Sequence, residues 1–380
     1  MGTVIVSASD TNTYAEQLAA AAACIRGGGL VVFPTETVYG VGTTVLRLDA
    51  VERLRAVKGR SSTQPFTVHI GARADARAML TEPSPIVRRL ARRGWPGPLT
   101  IICEEPHPER TELARSCPPA VLAEIYRDGK VGLRCPDHPV ATRLLTGAGV
   151  PVVASSANLH GQPPPLDLSA ALRDLDGRVD YAIDGGPTRF NTASTIVEVR
   201  GLEWRVVRAG AVDERTLRRW SRSEVLFVCT GNSCRSPMAE HLFRHKLAQR
   251  LGLSLDGLVA AGYHTSSAGV ACGGGLPASA GAVEQMTHRG IESIREHRSQ
   301  PLTVELVHQA ERIYALSSEH RQAVIDLVPA AADKVSLLDP AGPVADPFGG
   351  SSAEYARCAE QIERAVDLRL EEFLNEDRDW

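Results

Sequence analysis

The chain of 380 residues has no Cys-x-x-Cys pair, and its 8 cysteines form no cluster with histidines at zinc spacing. Those absences argue against a disulfide framework and a structural metal, and they leave the cysteines as mostly buried thiols. No apolar run approaches the roughly 18 residues of a membrane span. The first residues, Met1-Gly2-Thr3-Val4, lack the basic-then-apolar layout of a secretory signal. The expectation is a cytoplasmic protein with no membrane partner. A formal net charge of −3 is not the whole-chain polybasic signature of a nucleic-acid binder. The run Arg88, Arg89, Arg92 and Arg93 is open to reading as a local basic face, although such runs are usually solvated helix faces. No repeat of fixed period and no low-complexity tract is present.

What the chain does have is an ordinary globular composition, 43% hydrophobic and 23% charged, and a length that predicts two or three domains. Residues 225–237 carry the sharpest signal: a buried-strand run, Val225-Leu226-Phe227-Val228, ends on Cys229 and continues as Thr230-Gly231-Asn232-Ser233-Cys234-Arg235-Ser236-Pro237. With Gly231 and Asn232 able to take positive φ, so short a loop can curl its backbone N–H groups into one anion-sized hollow. Arg235 supplies a planar fork for phosphate oxygens. Ser236 and Pro237 suit the N-cap and first position of a helix through Arg250, whose positive end faces the hollow. Such a field is expected to lower the pKa of Cys229 and leave it a thiolate.

A leaving group expelled at neutral pH also needs a general acid. Asp346, in Asp346-Pro347-Phe348 within the Gly- and Pro-rich stretch Asp339 to Gly350, is the candidate. Strand-like runs at Val225–Val228, His264–Ser267, Arg312–Leu316 and Lys334–Leu338 alternate with helical patterns at Met238–Leu251, Pro277–Arg289, Glu319–Leu327 and Ser352–Phe373. That is the rhythm of a Rossmann-like parallel sheet with its site at the carboxyl end of the first strand. The Cys, five residues, Arg, Ser string and the late Asp-Pro-aromatic piece resemble the low-molecular-weight protein phosphatases over residues 223–380. The resemblance implies Cys229 as nucleophile, Arg235 as phosphate clamp, Asp346 as acid, Asn232 as loop-shaping residue and Ser236 as the hydroxyl that steadies the thiolate. No cofactor and a phosphorylated protein substrate are implied. Ser267-Ala268-Gly269 and His297-Arg298-Ser299 are read as supporting loops. Ser233 beside the cysteine and Gly349-Gly350 after Phe348 resemble the bacterial protein-arginine phosphatases, so phosphoarginine is favoured over phosphotyrosine.

A second domain must lie upstream. A helical pattern at Tyr14–Arg26 ends at Gly27-Gly28-Gly29, and the strand Leu30–Phe33 runs into Pro34-Thr35-Glu36-Thr37-Val38-Tyr39-Gly40. Lys58-Gly59-Arg60 follows a short helix and precedes another strand, Gln64 to His69. Farther on, Arg134, Ser155-Ser156-Ala157-Asn158, Asp184-Gly185-Gly186, Ser194-Thr195 and Arg208-Ala209-Gly210 each close a strand-like run with small or polar residues. One site assembled from many strand ends accounts for them together. As an ensemble they resemble the YrdC-like threonylcarbamoyl-AMP synthases over about residues 8–212.

This second resemblance implies a twisted, open α/β sheet domain around a basic cavity. There L-threonine, bicarbonate and ATP, with Mg²⁺, would become threonylcarbamoyl-AMP and pyrophosphate. The product would serve a tRNA adenosine modification together with partner proteins. Carried over, Thr37, His69, Arg134 and Ser194 would hold threonine or its carbamate. Arg60, Gln64, Ser156, Asn158 and Arg208 would hold ATP, with Lys58 adding charge at the phosphates. A cage of Lys58, Arg60, Arg134 and Arg208 would bring two mutually repelling anions together. Ser61 and Gln64 depart from that family's usual proline and asparagine. The alternatives are an RNA-binding or carbamoyl-transfer module upstream, and a tyrosine phosphatase or thiol-dependent arsenate reductase downstream. Between the halves, across the polar stretch Asp213–Arg222, no Gly/Ser- or Pro-rich linker is visible.

Overall fold

The computed structural model of the protein describes residues 2–7, 13–59 and 65–378, which form two compact units divided between Ser221 and Arg222. Both are α/β. Among the described residues the first unit carries ten strands: β1 (Val4–Ser7), β2 (Val31–Phe33), β3 (Gly40–Thr44), β4 (Thr67–His69), β5 (Leu99–Glu104), β6 (Lys130–Arg134), β7 (Val152–Ser156), β8 (Tyr181–Asp184), β9 (Thr195–Arg200) and β10 (Glu203–Arg208). They join in one mixed sheet of order β1-β8-β2-β3-β7-β4-β6-β5-β9-β10.

Strand alternation sorts the side chains onto two faces. Val32, Val41, Val68, Ile101, Leu133 and Val153 enter one core. Val31, Phe33, Val152 and Ala154 enter another, under the helices Tyr14–Arg26 and Pro139–Ala148. The intervening positions Thr67, His69, Thr100, Arg134, Ser156 and Ile196 line a cavity instead. A bulge in β10 feeds the same cavity. Val206 pairs with Val197 and Arg208 with Ile196, so Val207 is an extra residue between them. Trp204 and Val206 pack against the first core, whereas Arg208, past the bulge, is turned to the cavity.

The arginine run is not a solvated face. Arg89 is fully buried and donates from Nη1 to the Ser221 carbonyl at 2.6 Å; Arg93 donates to that of Trp220 at 2.6 Å. These cations satisfy the last carbonyls of the helix Glu214–Ser221, which its own backbone cannot reach.

The second unit holds four parallel strands, β11 (Ser223–Cys229), β12 (Tyr263–Gly269), β13 (Arg312–Ala315) and β14 (Val335–Leu337), in the order β12-β11-β13-β14. β11 is flanked by strands that follow it on both sides, so its carboxyl end is the point where strand order reverses. Cys229 stands at that end. The helix after it, Arg235–Leu251, closes on Gly252 at φ 65°. Short helices at Leu255–Ala260 and Val304–Gln309 were not apparent from sequence, because six residues carry too little periodicity.

Candidate active sites

In the first unit the cavity has a volume of about 370 Å³ and is lined by His69, Arg134, Ser156, Asn158, Ser194 and Arg208, among others. Six positions expected from sequence, scattered over 140 residues of chain, thus meet at one space. Thr37 stands behind it, fully buried. Arg134 Nη2 donates to Thr37 Oγ1 at 2.6 Å and also contacts Glu36 Oε1 at 3.2 Å and Thr35 Oγ1 at 3.3 Å. One end of the guanidinium is therefore tethered, while its Nε is buried without a partner.

Across the cavity, Ser194 Oγ lies 3.0 Å from Thr100 Oγ1, and Arg208 Nη2 donates to the Ser194 carbonyl at 2.6 Å and its hydroxyl at 3.1 Å. Burial and the neighbouring Arg134 lower the pKa of Arg208. His69 is held to about 3 by burial and by Arg134, so it is neutral; its Nδ1 sits 3.2 Å from the Thr67 carbonyl.

Lys58 is placed differently from its expected position at the phosphates. Its ammonium is buried and donates to the carbonyls of Ser156, at 2.5 Å, and Asn158, and it does not line the cavity. It supports the strand end that carries Ser156 and Asn158. Asn158 in turn donates from Nδ2 to the carbonyls of Leu159 (2.8 Å) and Gln162 (2.6 Å). Arg60 and Gln64 lie outside the described residues. Glu36 and Thr100, which orient Arg134 and Ser194, were not singled out from sequence; Thr100 could have been found from the period-2 pattern of β5.

In the second unit a hollow of about 200 Å³ is lined by Cys229, Thr230, Gly231, Ser233, Cys234, Arg235, Asp346 and Phe348. Asn232 and Ser236 lie beneath it, fully buried. Asn232 takes φ 53°, the left-handed conformation the tight loop requires, whereas Gly231 does not. The Asn232 side chain is bonded on every side: Nδ2 to Ser236 Oγ and Ser267 Oγ, both at 2.9 Å, and Oδ1 to the Gln300 N–H at 2.8 Å. Its carbonyl meets His297 Nε2 at 2.8 Å. The loop also packs on Gly269, where a Cβ would come within 2.6 Å of the Thr230 carbonyl oxygen.

Ser236 is not an N-cap. The helix already starts at Arg235, and the Ser236 hydroxyl is turned to Cys229 Sγ at 3.0 Å. The Asn232 N–H also points at the sulfur, at 3.3 Å. The expected lowering of the Cys229 pKa is corrected by the structure. Burial pushes the thiol up, and this outweighs the opposing pull of Ser236, the Asn232 N–H and Arg235. Arg235 donates from Nη2 to Asp346 Oδ2 at 2.5 Å and from Nη1 to the Val344 carbonyl at 3.1 Å. His320, which sequence reading missed, meets Thr230 Oγ1 at 2.8 Å; burial and Arg235 hold it neutral, at about 4.

With this geometry in view, two family models match the chain. The family described as "Telomere recombination" (Sua5, YciO and YrdC) covers residues 23–210, and the low molecular weight phosphotyrosine protein phosphatases cover residues 224–379. The chain is 34% identical over 204 residues to the putative threonylcarbamoyl-AMP synthase of Mycobacterium tuberculosis H37Rv, covering 54% of this chain and 88% of the relative. It is 36% identical over 160 residues to the protein-arginine-phosphatase of Bacillus subtilis, covering 41% of this chain and 99% of the relative. A substituted form of P. abyssi Sua5 matches in fold, with a TM-score of 0.51 at 20% identity over 88% of this chain and 98% of the other. The chain therefore belongs to two enzyme families, the Sua5/YrdC family through its first unit and the low-molecular-weight phosphatases through its second. It spans about half the length, 51%, of the threonylcarbamoyl-AMP synthase of B. subtilis, to which it is 39% identical.

Proposed function

We propose that the protein is bifunctional, a threonylcarbamoyl-AMP synthase joined to a cysteine-dependent protein phosphatase. For the first activity the supporting observation is the convergence of His69, Arg134, Ser156, Asn158, Ser194 and Arg208 on one cavity. Arg134, tethered through Nη2, offers its other edge to the carboxylate of L-threonine, and neutral His69 and Ser194 bound the same end. Ser156, Asn158 and Arg208 take the nucleotide, with Arg60 and Gln64 of the neighbouring segment. The threonine nitrogen bonds the carbon of bicarbonate, which loses its hydroxyl as water to leave the carbamate, and the carbamate oxygen then attacks the α-phosphorus and displaces pyrophosphate. The protein's part is to hold the anions in line. No carboxylate is among the residues lining the cavity, so Mg²⁺ enters with the nucleotide's phosphates. The test is pyrophosphate release, expected only when ATP, threonine and bicarbonate are all present. Equal release without threonine rules the reading out.

For the second activity the supporting observation is that Cys229, Arg235 and Asp346 surround one hollow. Phosphate oxygens replace Asp346 on Arg235, which frees the carboxyl to face the leaving group. The Cys229 thiol passes its proton by way of the bound phosphate to the freed Asp346 carboxylate; the thiolate Sγ attacks phosphorus, the bond to the leaving nitrogen or oxygen breaks, and Asp346 supplies that proton to the leaving group. Water, deprotonated by Asp346, then releases phosphate from the cysteine. Phosphoarginine is the favoured substrate. Ser233 lines the hollow and its hydroxyl can accept from a guanidinium, while the exposed Phe348 is followed in the chain by Gly349 and Gly350 rather than by a second aromatic. An unpaired buried donor costs about 1–3 kcal/mol, so Ser233→Ile is expected to lower kcat/KM on phosphoarginine peptides roughly 5- to 150-fold. A wild-type preference for phosphotyrosine peptides, or no loss in Ser233→Ile, overturns the assignment.

A further inference from the structure

Beneath the phosphate-binding loop, away from the hollow, three ligand-bearing side chains share a buried space. Glu240 and His241 project inward from the helix Arg235–Leu251, and His297 follows the turn Glu292–Glu296. All three are buried, and one donor atom from each lies within 4.8 Å of the other two. None of them is hydrogen-bonded to another. His241 is held through Nδ1 by Ser293 Oγ at 2.9 Å and Arg244 Nη2 at 3.0 Å; His297 is held through Nε2 by the Asn232 carbonyl; Glu240 Oε2 accepts from Ser267 Oγ at 2.7 Å. Each imidazole keeps one nitrogen, and the carboxylate one oxygen, without a partner. Among the described residues Glu240 forms no direct ion pair, and the cation whose charge acts on it is Arg244.

We propose that Glu240, His241 and His297 form a site for one divalent transition cation of the zinc class. Two imidazoles and a carboxylate suit zinc, with water as a fourth ligand. Donors bound at about 2.0–2.2 Å in a tetrahedron stand roughly 3.4 Å apart, so a closure of up to about 1.4 Å from the observed 4.8 Å limit completes the set. The contacts around them already have the form of an outer shell. Ser293 can accept from Nδ1–H of a histidine ligated through Nε2, and the Asn232 carbonyl does the same for His297 ligated through Nδ1. Arg244 is the opposing element: its N–H points at the Nδ1 that must carry a proton, and it has to swing away. Because His297 and Ser267 both hold Asn232, the cation braces the loop from behind and leaves Cys229 free.

The test is cobalt(II) alone added to the full-length protein, followed by calorimetry and visible absorption. One equivalent is expected to bind, with a spectrum of nitrogen and oxygen donors and without a thiolate charge-transfer band. Iodoacetamide should still alkylate Cys229 in the loaded protein. His241→Asn is expected to weaken binding about 100-fold or more and, free of metal, to keep phosphatase activity; Ser293→Ala weakens binding about 10-fold. Arg244→Ala should tighten it roughly tenfold by removing a like charge. No binding at millimolar cobalt, a thiolate band, or protection of Cys229 overturns the proposal. So does unchanged affinity in His241→Asn; should that variant not fold, unchanged or weaker binding in Arg244→Ala does the same.

Discussion

Arg235 Nη2 and Asp346 Oδ2 stand 2.5 Å apart, with Arg235 almost fully buried and Asp346 about half exposed. The clamp and the acid of the proposed phosphatase are thus partners of each other until a phosphate takes the arginine. The ion pair neutralises the cation at the hollow and holds the carboxyl beside the place where it is proposed to act.

Asp346→Asn is expected to slow turnover about 10²–10⁴-fold with guanidine or alkoxide leaving groups, and less with an activated phenol that needs no proton. The same change deprives Arg235 of its anion, so inorganic phosphate should inhibit the variant at lower concentration than the wild type. Steady-state kinetics with phosphate as inhibitor measures both effects; undiminished kcat on phosphoarginine peptides removes Asp346 from the acid role.

The titration of Cys229 has a definite sign. Burial raises the thiol above its ordinary value, so the protonated form persists to higher pH in the folded protein. Alkylation should therefore accelerate through the alkaline range, with a midpoint above that of a free cysteine. Ser236→Ala removes a hydrogen bond that favours the thiolate and is expected to move the midpoint farther up. A wild-type midpoint in the acidic range contradicts this.

Arg134→Lys keeps the charge but loses the planar fork that Thr37 and Glu36 hold in place. The KM for threonine in pyrophosphate release should rise at least about tenfold, since one point charge cannot replace a two-pronged grip. Phosphatase activity, measured on the same preparation, should not change.

Phe227 is fully buried in β11, with ring centroids 5.6 Å from Phe243 and 5.7 Å from Tyr314. Phe227→Ala is expected to cost about 3–5 kcal/mol. Heat inactivation of the phosphatase should shift to lower temperature while pyrophosphate release keeps its own midpoint; a common shift of both would show that the cores are not independent.

Much of the loop from Cys229 to Ser236 was legible because its geometry is local. Cys229, Asn232, Arg235 and Ser236 are neighbours in the chain, and a strand, a short loop and a helix start force them around one hollow. The strand–helix rhythm of the second unit was legible for the same reason, since period 2 and period 3.6 are properties of adjacent residues. In the first unit the sequence carried the strand-end residues but not their roles relative to one another. Only the tertiary structure put Arg134 against Thr35, Glu36 and Thr37, nearly a hundred residues away, turned Lys58 from the cavity to the carbonyls of Ser156 and Asn158, and used a one-residue bulge to bring Arg208 into the site. It also set the direction in which the Cys229 pKa moves. Which residues sit beside a thiol is written in the chain, whereas how much water the fold leaves around it is a sum over every surrounding element, and here that sum outweighs the neighbours.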